Sequence, residues 1–180
     1  MWNGQRKKLH YKPKTKERTM KVLILGGDGM LGHQLFKYFQ ERHDVRCTLH
    51  QDITKYTQYG LYDEINSYTG IDVTSFERVK EVVCDFMPEI LVNCIGIIKQ
   101  QSTAKESIPC IEINALLPHR LALLCKEVGA RLIHFSTDCI FSGKKGNYLE
   151  SDPSDAGDLY GKTKFLGEVK DDICLTLRTS

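Results

Sequence analysis

No apolar run in the 180 residues approaches the roughly 20 residues that a membrane-spanning helix needs. No internal repeat or low-complexity tract is visible. With 41% hydrophobic, 27% charged and 9% aromatic residues, the composition excludes a disordered or collagen-like chain and is that of a soluble globular protein. The chain also lacks any C-x-x-C pair. Its seven cysteines are odd in number, and Cys94, Cys139 and Cys174 fall inside apolar runs, so they read as buried free thiols of a reducing compartment. The cytoplasm is the expected location, and neither a metal site nor a membrane contact is expected.

A strong net charge is missing too, but the formal +2 conceals an asymmetry. Residues 1–19 hold seven of the 25 Lys and Arg and one of the 23 Asp and Glu, which leaves the remainder at about −4. That basic arm has no apolar stretch of the kind a secretory signal requires. With Trp2 and Tyr11 it would suit a nucleic-acid surface, but a run of charge is more often a solvated face, so nucleic acid is not an expected partner. The arm is expected to be a disordered extension. One domain, residues 20–180, follows from Met20 onward, as the length allows.

After the arm, short apolar β-branched runs alternate with amphipathic patterns, the signature of β-α-β units and a parallel sheet. Strands are predicted over Lys21 to Leu25, Val45 to Leu49, Ile90 to Ile95, Arg131 to Ser136 and Ile173 to Arg178. Helices are predicted over Met30 to Glu41, with Leu31, Leu35, Phe36 and Phe39 on one face, and over Ser75 to Phe86, with Phe76, Val79, Val83 and Phe86. A third, from about Ile108 to Val128, turns Ile111, Leu116, Leu121 and Leu124 inward. Pro118 predicts a kink or broken start in it, and Gly129 a stop. A fourth begins near Leu159 and carries Phe165 and Leu166. The polar segment His50 to Gly70 shows no period and reads as an irregular insertion with room for one short helix. Strands that are apolar throughout must be covered on both faces, so the fold class is α/β, a doubly wound parallel sheet of Rossmann type.

The first strand runs straight into Gly26-Gly27-Asp28-Gly29-Met30-Leu31-Gly32, which opens the first helix. Glycines at this spacing permit a tight turn and let the backbone approach a pyrophosphate, whose charge the helix N-terminus then holds. A glycine turn without a ligand is the alternative, but the strand-turn-helix context favours nucleotide binding. Asp72-Val73 precedes the second long helix, where the carboxylate could accept from an adenine amino group; the alternative is an N-terminal helix cap by Asp72 or Thr74. Asn93-Cys94-Ile95-Gly96 and Phe135-Ser136-Thr137-Asp138 are strand ends at the carboxyl edge, where ligands of open α/β sheets collect. Tyr160 and Lys164 form a Y-x-x-x-K pair on one helical face. Alone such a pair is weak. After a glycine turn and a Ser/Thr strand end, in that order, it is a much less probable accident.

These motifs, together with Asn114, Cys139 to Gly143, Glu150-Ser151-Asp152 and Gly167-Glu168, resemble the extended short-chain dehydrogenase/reductases. Within that group the sequence is most similar to the dTDP-4-dehydrorhamnose reductase-like sugar-nucleotide reductases, from Met20 to Ser180. The resemblance implies Thr137, Tyr160 and Lys164 as catalytic residues, Asn114 as the member completing a proton relay, and NAD(P)H as cofactor. It implies a cofactor site at Gly26, Asp28, Gly29, Met30, Leu31, Gly32, Asp72, Val73, Cys94, Ile95, Gly96, Ser136, Tyr160 and Lys164. The implied reaction is reduction of a keto group on a nucleotide-linked deoxysugar in polysaccharide biosynthesis. Ketone reduction needs a proton at oxygen; the Lys164 ammonium would lower the Tyr160 phenol toward neutrality, and Thr137 would hold the carbonyl oxygen. Without the resemblance, Asn114 reads equally as a buried polar group satisfying a kink near Pro118.

Three departures qualify the carry-over. The second strand ends in Arg46-Cys47-Thr48-Leu49-His50, with no carboxylate for ribose hydroxyls, and Arg46 or His50 has room for a 2′-phosphate; NADP or NAD is expected, with the balance toward NADP. The stretch Asp155 to Asp158 lacks the proline and asparagine common in the family. The sequence stops at Ser180, where the family's substrate domain would follow, so a fragment is expected, able to bind cofactor, poor in turnover and prone to self-association. The alternative is a non-catalytic dinucleotide-binding regulatory subunit.

Overall fold

A computed structural model describes residues 18–180. Six strands, β1 (Lys21–Leu25), β2 (Asp44–Thr48), β3 (Ser67–Tyr68), β4 (Ile90–Asn93), β5 (Arg131–Thr137) and β6 (Cys174–Thr179), form one sheet in the order β3-β2-β1-β4-β5-β6. Every neighbouring pair is parallel. The chain winds outward from β1 to β3, then restarts on the other side of β1 with β4. A crevice therefore opens between the carboxyl ends of β1 and β4, where the winding direction reverses.

The apolar strands are covered on both faces, as their composition requires. On one face α2 (Phe76–Phe86) and α4 (Leu117–Val128) bring Val79, Val83, Phe86, Leu121 and Leu124 against Leu23, Leu25, Leu91 and Leu132. On the other, α1 (Met30–Phe39) sets the fully buried Phe36 against Val22, Ile24, Val45, Cys47 and Val92. Truncating Phe36 to alanine would cost about 3–5 kcal/mol through the cavity it leaves. A short helix, α5 (Leu159–Leu166), starts at Leu159 as predicted. Asp158 caps it by accepting from the Gly161 backbone N–H at 2.7 Å.

Four expectations need correction. The segment His50 to Gly70 contains an edge strand, β3, besides two 3-10 turns at Ile53–Lys55 and Thr57–Tyr59. Two residues are too few to show a period in sequence. The third helix is a continuous helical stretch whose middle, Ile111–Leu116, is π-helical between α3 (Ser107–Cys110) and α4. A π turn inserts a residue and rotates the face that follows, so Ile111 and Leu116 point outward, 48% and 40% exposed, while Asn114 and Ala115 turn in. Leu31 lies outside the core as well, since the first turn of α1 stands at the surface. Cys94, Cys139 and Cys174 are half-buried rather than buried, although all seven cysteines are free.

By length and hydropathy alone the stretch Ser107–Val128 would suffice to cross a membrane, but half of its apolar window is buried inside the domain, where it forms the core with α2. The extension 1–19 lies outside the described residues apart from Arg18 and Thr19. The Arg18 guanidinium donates to the Glu89 carboxylate at 2.6 Å.

Candidate active site

The glycine turn is held by backbone and one hydroxyl. Gly26, with φ of +79°, donates its N–H to Thr48 Oγ1 at 3.0 Å, and Gly27 donates to the Thr48 carbonyl at 2.8 Å. Gly29 donates back to the Gly26 carbonyl and then caps α1 in extended conformation. Gly32 and Gly29 answer different needs. A Cβ at Gly32 would stand 2.0 Å from the Gly26 carbonyl oxygen, so Gly32 is required for helix and turn to touch. A Cβ at Gly29 would meet only the Gly26 oxygen, at 3.4 Å, and would otherwise project into open space. That space is a cleft of about 380 Å³, floored by Gly26, Asp28 and Gly29. Met30 and Leu31 do not line it, and Met30 is 85% exposed; the first intrahelical bond of α1 is made by His33 to the Gly29 carbonyl, so their backbone N–H groups belong to the unpaired helix start.

One wall is Ile71, Asp72 and Val73. Asp72 accepts from both the backbone N–H and the hydroxyl of Thr74, at 2.9 and 2.8 Å, and these bonds hold its carboxyl below the usual carboxylate range. It therefore caps the local turn and lines the cleft at once. The opposite wall is Cys94, Ile95, Gly96 and Ile97. Burial pushes the Cys94 thiol up to about 12, which makes it an inert wall. Asn93 sets this loop: its Oδ1 accepts from the Ile95 N–H at 3.1 Å, so its Nδ2 donates to His134 Nδ1 at 3.1 Å. His134 is then neutral with its proton on Nε2, and burial lowers its pKa to about 3.

Asn114 is fully buried inside the π turn. Its Oδ1 accepts from the Ile97 N–H and its Nδ2 donates to the Ile97 carbonyl, both at 2.9 Å. Its side chain is thus a clamp on the cleft wall, and both of its polar groups are used. Lys164 is 5% exposed and donates from Nζ to the Phe135 carbonyl at 2.6 Å. Burial brings its pKa down to about 8. A Cβ at Gly96 would come within 3.7 Å of Nζ and 3.3 Å of Asn114 Oδ1, so a glycine there lets the lysine approach the cleft. Thr137 Oγ1 accepts from the Cys139 N–H at 3.1 Å, capping a short turn.

The Tyr160 phenol is raised above its ordinary value by burial, with the Thr137 hydroxyl and the Lys99 ammonium acting in the opposite direction. Lys164, whose ammonium donates to the Phe135 carbonyl, is not among the groups that shift the phenol. Lys99 is the cation at the phenol: its Nζ lies 5.7 Å from the ring centroid and 2.8 Å from Asp158. A second hollow, of about 790 Å³, opens beside it between Lys99, Asp138, Cys139 and Asp158. Lys164 thus stands behind Gly96 at the first cleft, and Tyr160 lies against Lys99, which lines the second.

Two more expectations are corrected. Arg46 does not face the cleft: its guanidinium donates to the Tyr68 hydroxyl at 2.8 Å and lies 4.9 Å from the Phe86 ring, because alternate strand residues point to opposite faces and Cys47 takes the α1 side. Ser136 is also turned away, donating to Glu168 at 2.8 Å, where Arg178 completes a bidentate pair at 2.8 and 2.7 Å. Sequence reasoning missed Thr48, Tyr56, Tyr62 and Lys99. Tyr62 donates to the Gly27 carbonyl and Tyr56 to Asp28, both at 2.6 Å, so the segment without a period braces the glycine turn.

This arrangement matches a known family along nearly all of the chain, residues 20–179 agreeing with the RmlD substrate binding domain. The chain belongs to that family. It is 31% identical over 152 residues to methionine adenosyltransferase 2 subunit beta of Mus musculus, covering 83% of this chain and 42% of that protein. It is 29% identical over 147 residues to a dTDP-4-dehydrorhamnose reductase of Streptomyces griseus, covering 81% and 43%. The dTDP-4-dehydrorhamnose reductase of Bacillus anthracis, solved in complex with NADP, superposes with a TM-score of 0.71 at 27% identity, over 90% of this chain and 54% of that one. The chain thus spans less than half the length of these two curated relatives. The family resemblance read from the motifs is correct, as is the doubly wound parallel fold.

Proposed function

We propose that the protein binds a reduced nicotinamide dinucleotide in the cleft between β1 and β4 and serves reduction of a keto group on a nucleotide-linked deoxysugar. The observation that carries this reading is the open path at Gly29, a cradle any side chain would fill, lying at the same sheet edge as Thr137, Tyr160 and Lys164. When bound, the dinucleotide supplies a hydride to the carbonyl carbon. The chain supplies the rest. The Tyr160 hydroxyl gives its proton to the developing alkoxide, and Thr137 donates a hydrogen bond to the same oxygen, a contribution of the kind worth about 3 kcal/mol. Lys164, at about 8, is able to give and retake a proton near neutral pH and to hold the ribose hydroxyls. Asn114 holds the Ile97 wall against the reacting face.

A second reading, a dinucleotide-binding regulatory subunit without turnover of its own, is supported by the similarity to methionine adenosyltransferase 2 subunit beta. Single-turnover oxidation of bound NAD(P)H by a 4-keto nucleotide sugar separates the two. On the reductase reading Tyr160→Phe slows that step by roughly 10²–10⁴-fold and leaves dinucleotide affinity within about twofold. No oxidation by the wild-type chain, with the dinucleotide demonstrably bound, favours the subunit.

A further inference from the structure

The residues lining the cleft include two carboxylates, Asp28 and Asp72, and among the described residues no lysine or arginine, Lys164 standing behind Gly96. Asp28 leaves the glycine turn one residue before the cap of α1, and two groups from outside the turn hold it in place. Its Oδ2 accepts from the His50 backbone N–H at 3.1 Å and from the Tyr56 hydroxyl at 2.6 Å. The end of β2, which has no acidic residue of its own, is thereby given a carboxylate by the neighbouring turn. Its place along the cleft follows from the two ends. The pyrophosphate belongs at the Gly26 to Gly29 turn and the start of α1, and a flat base fits against Ile71 and Val73 with Asp72 at its edge. Residues 48–50 join the two, since Thr48 accepts from Gly27, the Leu49 carbonyl accepts from the Ile71 N–H, and the His50 N–H donates to Asp28.

Resting on the dinucleotide-binding reading above, we propose that Asp28, positioned by Tyr56, reads the adenosine ribose and makes the protein prefer NADH to NADPH. Ribose 2′- and 3′-hydroxyls donate to such a carboxylate. A 2′-phosphate brings more negative charge to the same spot, and the guanidinium that β2 carries, that of Arg46, is engaged with Tyr68 and Phe86. His50 is the one cleft side chain able to carry positive charge near it, and it stands at an exposed strand end. The irregular segment His50 to Gly70 thus acquires a task, since Tyr56 orients the carboxylate and Tyr62 fixes the turn that bears it.

The test is calorimetric titration of the whole chain with NADH and with NADPH, in wild type, Asp28→Asn and His50→Ala. The expected result is NADH tighter by at least about tenfold, a gap that narrows as salt screens the repulsion. Asp28→Asn should narrow the gap at least about fivefold, chiefly through tighter NADPH, since the amide keeps an acceptor for the His50 N–H but loses the charge. Asp28 is exposed, so the variant is expected to fold. Equal or tighter NADPH in wild type overturns the preference, and most directly so if His50→Ala abolishes it. An unchanged gap in Asp28→Asn overturns the role of Asp28. Binding of neither dinucleotide overturns the reading on which the inference rests, and the inference with it.

Discussion

From Gly26 to Gly32 the site is made of backbone: peptide groups bond to one another and to Thr48, and glycines leave the space that a ligand needs. From Asn93 to Arg178 it is made of side chains, each already committed to a partner inside the fold. Asn114 holds Ile97, Lys164 holds Phe135, Ser136 holds Glu168, and Asn93 holds His134. The difference teaches what each half tolerates. A backbone-built cradle should ignore most substitutions yet fail at single glycines. A side-chain network should lose some stability at nearly every member and binding at few.

The largest contrast is expected between two glycines three residues apart. Gly29→Val adds a side chain that meets almost nothing in the folded chain, so thermal stability should stay close to wild type while dinucleotide affinity falls by at least about 100-fold, roughly 2.7 kcal/mol. Gly32→Ala places a Cβ against the Gly26 carbonyl and should cost about 1–3 kcal/mol or more through overpacking. Thermal melts and calorimetry on both variants check this. Retained affinity in Gly29→Val breaks the assignment of the cradle.

The same contrast explains how much was legible in the sequence. The glycine spacing, the Y-x-x-x-K pair and the apolar strands announce themselves because each depends on neighbours a few residues away. The residues that went unread act across long separations: Tyr56 and Tyr62 reach Asp28 and Gly27 from 28 and 35 residues downstream. The inward placing of Ile111 and Leu116 failed for a local reason, a π turn, that periodicity of 3.6 cannot represent. Ser136 was assigned to the ligand because its strand end faces the cleft, although its partner, Glu168, sits 32 residues on.

A middle-sized effect should join the two halves. Asn114→Ala removes both bonds to Ile97 and leaves that buried peptide unpaired, which costs about 1–3 kcal/mol. Ile97 belongs to the cleft wall, so affinity for the dinucleotide should weaken several-fold in the same variant, whereas Glu168→Gln, in the network beneath β5, should lower stability and leave affinity alone. Urea unfolding beside calorimetry distinguishes them. Equal affinity loss in both would mean that the side-chain half acts on the cleft as one body.

The smallest effect concerns acid. His134 is fully buried, its Nδ1 accepts from Asn93 and its Nε2 has no partner, so protonation in the folded state would strand a charge and break the Asn93 bond. Its folded pKa of about 3 lies below the unfolded value near 6.5. Between those values the unfolded chain binds a proton that the native chain does not. Stability from this group is therefore complete above about pH 6.5 and declines as pH falls toward 3, by up to about 1.4 kcal/mol per unit. Carboxyls held low, such as Asp72 and Glu168, produce a loss of the same sign, but they are present in any variant and cancel in a comparison. His134→Gln retains an acceptor for Asn93 and does not titrate. Urea midpoints at pH 7, 6 and 5 should fall more steeply in wild type than in His134→Gln; parallel curves would show that His134 takes its proton in the folded state, and that the network at β4 and β5 accommodates a charge.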